Sequence, residues 1–270
     1  MDVHYPLFGQ YFRLFEVDET ERQVHYASPM RDMQQVESLK PFLAEYARHI
    51  KATETDVAAA YLSSYCTGLL LSSLYALSAW NRSVDLTPQR LAVLIVQEAD
   101  YASIRLEVDE FTGVAAPVDV EERKRWVETQ LTEMISETLR PMIDAAAVAS
   151  GLNARFLWGQ MTARVGYYVE YLLADADHEP IRSRLSEDYK LLLELEASVF
   201  GQSRNPLVAK ARYVDHWQEG GSPLRMKHVC CLYHKTEGGD YCYTCPKMKE
   251  SERAERCSEL RERYAETATS

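Results

Sequence analysis

Apolar residues recur along this chain with two different periods, and each period predicts a different kind of element. Over residues 34–50, 55–80, 121–150, 153–172 and 181–200 they return every three or four positions, as on one face of a helix. The second of these runs is rich in Ala, Leu and Tyr on most sides and is expected to be buried. Thr53 or Thr55 is its candidate cap, with Asp56 in its first turn. Pro141 should kink or split the third run, and Gly201 should end the last. Residues 91–97 form a short β-branched run, Glu98-Ala99-Asp100 a polar turn, and residues 102–108 alternate apolar with polar. That combination predicts an antiparallel hairpin. Residues 113–117 read as a loop, and 9–17 as strand-like in an otherwise irregular N-terminal region.

After Asn205-Pro206 the pattern changes. Residues 210–217 and 224–229 read as short strands joined by a turn at Glu219-Gly220-Gly221-Ser222. A charged helical stretch follows over 247–265. The expected class is therefore α+β: a mainly helical body with small antiparallel β elements and a C-terminal β-hairpin carrying a cysteine cluster. Four units follow: an N-terminal region (1–52), a mainly helical substrate-binding body (53–203), a basic hairpin with the cysteine module (204–249), and a charged helical tail (250–270).

Composition narrows the function classes. At 270 residues and 46% hydrophobic content the chain can bury a sizeable core. No uninterrupted apolar run reaches the roughly 18 to 20 residues of a membrane span; the best candidate, 58–80, is broken by Ser63, Ser64, Ser72, Ser73 and Ser78. The first residues lack the basic start and apolar stretch of a signal peptide. A cytoplasmic location without stable membrane insertion is expected, and there clustered cysteines favour metal over disulfides. A net charge of −11 argues against a general nucleic-acid binder. Residues 204–249, however, hold eight Lys/Arg against four acids, a basic island on an acidic protein. No dinucleotide fingerprint and no hydrolase or transferase motif is present.

The chemistry concentrates in the island. Cys230, Cys231, Cys242 and Cys245 are spaced C-C-x10-C-x2-C, close enough to surround one metal centre. Cys242-Tyr243-Thr244-Cys245 is a common iron–sulfur half-site, and Pro246 stops the chain behind it. Neighbouring side chains of a strand point to opposite faces, so Cys230 and Cys231 can share a centre only if the chain bends there. One tetrahedral zinc is the alternative, although zinc half-sites usually separate their cysteines by two to four residues. Spacing favours iron–sulfur over zinc, and over reduced structural cysteines. Cys66 reads as a core residue and Cys257 as a free thiol. His228 and His234 flank the cysteines, as solvated neighbours, proton couplers or unusual ligands. Tyr233, Tyr241 and Tyr243 read as shielding, Tyr167, Tyr168 and Tyr171 as core and groove lining, and Glu107, Asp109 and Glu110 as a solvated acidic edge.

The cysteine spacing resembles that of the FhuF-like ferric siderophore reductases. So does Trp158-Gly159-Gln160-Met161-Thr162-Ala163 leading to Gly166-Tyr167-Tyr168, which is similar to a family helix of the type W-x-N-x-x-x-x-x-x-Y, with Gln160 where the family carries asparagine. Asn205-Pro206-Leu207 also resembles the family's pattern before its basic hairpin. The resemblance implies a cytosolic one-electron reductase with a 2Fe-2S cluster on Cys230, Cys231, Cys242 and Cys245. It further implies a ferric siderophore as substrate and a ferredoxin-like donor. Arg212, Arg225, Lys227 and Lys235 are the candidates for holding an anionic citrate-type or hydroxamate complex. The competing readings are a zinc-stabilised binding module without redox activity and an iron–sulfur sensor or carrier.

Overall fold

The computed structural model describes residues 8–18, 22–218 and 220–268. A π turn, Phe8–Phe12, leads to β1 (Leu14–Glu16), β2 (Val24–Pro29) and a single helical turn, α1 (Met30–Met33). α2 (Val36–His49) and α3 (Thr55–Tyr75) follow, with a second π turn, Ala76–Trp80, extending α3. Next come β3 (Leu91–Gln97), β4 (Ala102–Val108), α4 (Val120–Glu133), α5 (Arg140–Ser150), α6 (Ala154–Ala174) and α7 (Arg182–Glu194). Two-residue strands β5 (Tyr213–Val214) and β6 (Leu224–Arg225) and the helix α8 (Glu250–Ala268) complete the described chain. The α+β class agrees with the sequence pattern.

α3 is the axis of the body. Ala58, Ala59, Leu62, Cys66, Leu69, Leu70 and Leu74 on it are all buried, so it is wrapped by protein rather than amphipathic. Two of its hydroxyls are satisfied internally, Ser63 donating to the Leu157 carbonyl at 2.7 Å and Ser78 to that of Leu74 at 2.9 Å, while the buried hydroxyls of Thr67 and Ser72 have no partner among the described residues. The serines therefore do not interrupt the helix. Thr55–Trp80 is, among the described residues, long and apolar enough by length and composition to cross a membrane, and 83% of that window is buried inside the fold.

The β3–β4 hairpin forms in the expected place, with Leu91 opposite Val108 and Gln97 opposite Ala102. It is the centre of a four-stranded sheet in the order β1-β4-β3-β2. The strand expected over 9–17 is only half present. Its first part coils into the Phe8–Phe12 turn, which lies directly on α3: a Cβ on Gly68 would stand 1.8 Å from the Phe12 carbonyl oxygen. β2 shows no clean alternation and forms because β3 offers it an antiparallel partner. The acidic edge is exposed at Asp109 and Glu110, as expected, but not at Glu107. Glu107 is buried and pairs with Arg105 at 2.7 Å and Arg22 at 3.0 Å, while Asp109 pairs with Arg90 at 2.8 Å.

Pro141 does not break its helix sharply. A π turn, Met134–Leu139, precedes it and seats the proline in the first turn of α5, where its missing N–H costs nothing. The run expected over 181–200 ends early, at Glu194, and resumes as a short 3-10 turn, Ala197–Phe200, closed by Gly201 at φ +63°.

Asp188 of α7 is fully buried, accepting from Arg123 of α4 at 2.8 Å and from Ser78 at 2.9 Å. Three helical elements thus meet on one carboxylate. Arg123→Met would leave that charge without its cation and should lower stability by about 3–5 kcal/mol in denaturant unfolding. A loss under about 1 kcal/mol would show that Ser78 suffices.

Candidate metal centre and its cavity

The expected strands over 210–217 and 224–229 shrink to β5 and β6, and the reason builds the site. Tyr213 pairs with Arg225 and Val214 with Leu224, and Met226 still bonds the Arg212 carbonyl. Lys227 then changes partner: its N–H donates to the carbonyl of Thr244 at 3.1 Å. The ladder therefore passes from the hairpin to the second cysteine loop and sets the two half-sites side by side. Cys242 and Cys245 face inward from a tight turn closed by the Cys245 N–H on the Cys242 carbonyl at 2.8 Å. The first half-site bends where expected, just after the vicinal pair. Leu232 takes a left-handed conformation at φ +63°, a strain of roughly 1–2 kcal/mol, and its N–H turns back to the Cys230 sulfur at 3.4 Å. Burial of the Leu232 side chain with Val57, Ala60 and Met248 offsets that strain.

The module rests on α3 and α6. Gly159 of α6 leaves room for Val229; a Cβ there would stand 2.8 Å from a Val229 methyl. One residue on, Gln160 donates to the Cys230 carbonyl at 2.9 Å. The amide at this position thus holds the backbone of the first cysteine pair. Lys235 donates to Asp56 at 2.6 Å and Glu54 at 3.2 Å, while Thr53 bonds the Lys235 carbonyl at 2.9 Å. The start of α3 is tied down by the module, and Glu54 stands at the cap position with no side-chain cap, rather than Thr53 or Thr55. From the other side Arg253 of α8, which is buried, donates to the carbonyls of Tyr243, Cys245 (3.1 Å) and Met248 (3.2 Å). The residues expected to be a charged tail therefore lock the second cysteine loop. Nothing in the pattern around Arg253 distinguishes it from its charged neighbours.

The four sulfurs come as two pairs. The thiol of Cys242 hydrogen-bonds the sulfur of Cys231, and Cys230 pairs with Cys245. Cys230 and Cys245 are buried; Cys231 and Cys242 are half-buried. That hydrogen bond from Cys242, with the ammonium of Lys227 at 2.9 Å behind it, outweighs burial and brings the Cys231 thiol down to about 5. Burial works against the charge on Lys227, but the two sulfurs overcome it and hold the ammonium above its ordinary value. Burial pushes the Cys230 thiol up. Four cysteines gathered by two loops, one already inclined to ionise, are a donor set that suits an iron–sulfur centre held by four thiolates.

Beside the pairs opens a cavity of about 590 Å³. Cys231 and Cys242 form part of its wall, together with Lys227, Arg225, Arg164, Tyr65 and Tyr168. The candidate substrate residues thus divide. Arg225 and Lys227 line this cavity; Arg225 also pairs with Glu170, passing over Gly166. Arg212 lies outside it, along a shallow groove behind the hairpin, and Lys235 is engaged by the start of α3. His234 sits with Nδ1 3.7 Å from the Cys230 sulfur and its ring 4.4 Å from that of Tyr241. His228 lines both this cavity and a second one beyond Val229. Partial burial and then Arg212, Arg204 and Arg155 hold its ring below the ordinary histidine value. Tyr233 lines the cavity, whereas Tyr243 ties the loop to the Asp215 carbonyl at 2.9 Å. The sequence reading missed Arg164. Its signal was the spacing Gln160, Arg164, Tyr168, one turn apart on a single face of α6.

Fold and site together define an α+β protein with a four-cysteine module set beside a cavity. Residues 229–247 match the family model described as the FhuF 2Fe-2S C-terminal domain, with all four cysteines inside the match. The match supports a FhuF-like relationship over this short segment, and its description is that of a 2Fe-2S domain. No curated protein matches the chain.

Gly159→Val should push the Val229 segment off α6. Iron content of purified protein should fall severalfold while the helical circular dichroism stays unchanged. Full iron loading would show that Gln160 and Lys235 hold the module without that contact.

Proposed function

We propose that this protein is a cytoplasmic ferric siderophore reductase whose 2Fe-2S cluster is held by Cys230, Cys231, Cys242 and Cys245. One observation carries the reading: the only cysteines reaching the wall of the cavity of about 590 Å³, Cys231 and Cys242, are candidate cluster ligands. A ligand-sized space against such sulfurs suits a substrate that needs an electron and no acid–base partner. The cluster, when bound, supplies single-electron transfer.

The chain's own residues do the rest. The tyrosines of α3 and α6 line the cavity and give it an aromatic wall. Lys227 donates to the Cys231 sulfur, and a hydrogen bond or positive charge at a ligand sulfur favours the reduced state of a cluster. The cavity would hold the ferric complex beside the sulfurs of Cys231 and Cys242. Fe(III) accepts one electron and becomes Fe(II), which hard anionic oxygen donors hold far more weakly, so the metal is released. The electron comes from a low-potential, ferredoxin-like carrier, and the complex is of the anionic citrate or hydroxamate type.

Anaerobically purified protein should be red-brown, hold about two irons per chain and give an EPR signal after dithionite. With a photochemical reductant it should release Fe(II) from a ferric siderophore to a ferrous chelator. Cys242→Ser should abolish the colour and the release, and Cys257→Ser should leave both intact. A colourless protein with one zinc, or a cluster that no ferric complex reoxidises, would end the proposal.

A further inference from the structure

Arginines in this protein are nearly always neutralised where they are half-buried. Arg13, Arg22, Arg90, Arg105, Arg123 and Arg225 each meet a carboxylate. Arg164, half-buried on the wall of the cavity, does not: among the described residues no carboxylate pairs with it. Its one hydrogen bond is a long one, 3.4 Å to the Ser64 hydroxyl. Its guanidinium carbon stands 5.8 Å from the centre of the Tyr65 ring and 5.7 Å from that of Tyr168. Two aromatic faces thus fix its position while most of its five N–H donors remain unused.

The surroundings give this unpaired charge a direction. The chain carries 41 acidic residues against 30 basic ones, yet no Asp or Glu lines the cavity. The cations there are Arg164, Arg225 and Lys227. Glu170 neutralises Arg225, and Lys227 is turned to the Cys231 sulfur. Arg164 is the cation left for a ligand. A guanidinium flanked by rings suits paired anionic oxygens, which it grips through two parallel N–H donors as an ammonium does not.

We propose that Arg164 is a substrate-binding residue, and that it engages a carboxylate or paired oxygen anion on a net-negative ferric chelate. This deepens the reductase reading and rests on it. The cavity then discriminates by charge: complexes with a free carboxylate arm bind well, and neutral trihydroxamate complexes bind without help from Arg164. Loss of a charge-assisted hydrogen-bonded pair should weaken binding ~10- to 100-fold.

The test separates binding from reduction by using gallium(III), which matches Fe(III) in charge and accepts no electron here. Cluster-loaded wild type, Arg164→Gln and Arg164→Lys are titrated calorimetrically with two probes. One is the anionic gallium(III) complex of a citrate-based dihydroxamate; the other is a neutral gallium(III) trihydroxamate. Iron content and the visible spectrum of each variant confirm an intact module. The expected result is a ~10- to 100-fold loss for the anionic probe in Arg164→Gln, partial recovery in Arg164→Lys, and no change for the neutral probe. With the ferric counterparts, KM for the anionic complex should rise while kcat is kept. Equal binding of the anionic probe by wild type and Arg164→Gln, equal losses for both probes, or no binding by wild type would overturn the assignment. Arg164-dependent binding in a protein that reduces no ferric complex would instead leave this site standing and remove the reductase.

Discussion

The close approach of the Val229 backbone to α6 is the contact on which the rest of the site depends. The cysteine module has two strands of two residues each and too little apolar surface to hold a shape alone. It borrows its rigidity. Gly159 lets the segment lie flat on the helix, and Gln160 then catches the Cys230 carbonyl. Everything downstream follows from that placement: the bend at Leu232, the exchange of backbone partners at Lys227, and the registration of one thiol pair against the other. The same face of α6 carries Arg164 and Tyr168, so the helix that seats the module also lines the cavity.

Charge is distributed in two layers around this seat. Outside the cavity, positive groups are used up in holding the module together, as Lys235 is at Asp56 and Arg253 is at three carbonyls. Inside it, positive groups face sulfur and open space. An acidic protein has thereby excluded acids from one concave surface, which keeps repulsion away from an anionic visitor. The basic island visible in the sequence is therefore two populations of residues with different work, and only their partners tell them apart.

The helical body was legible because its apolar periodicity is strong and α3 is apolar on most of its faces. The β3–β4 hairpin was legible from alternation. β2 was not, since Val24 is exposed and its pairing exists only through β3. Residues 9–17 misled because their aromatic, extended look conceals a turn that depends on a glycine more than fifty residues away, Gly68. The Glu107 carboxylate looked solvated until Arg105 and Arg22 closed over it. At the site, the cysteines announced themselves by spacing, whereas the cavity did not. Tyr61, Tyr65 and Arg164 lie on two helices about a hundred residues apart, and no local pattern reports that their faces converge. Charge alone suggested Arg212 and Lys235 as readily as Arg225 and Lys227, because a side chain's sign says nothing of whom it meets.

The latch made by Arg253 also imposes an order on the birth of this protein. The carbonyls it grips belong to the loop of the second thiol pair, yet Arg253 leaves the ribosome later than any of the four cysteines. While the nascent chain is still being made, that loop lacks its brace, and its thiols are open to stray copper, zinc or oxidants. The second thiol loop therefore gains its brace only after all four cysteines have been made, when α8 docks.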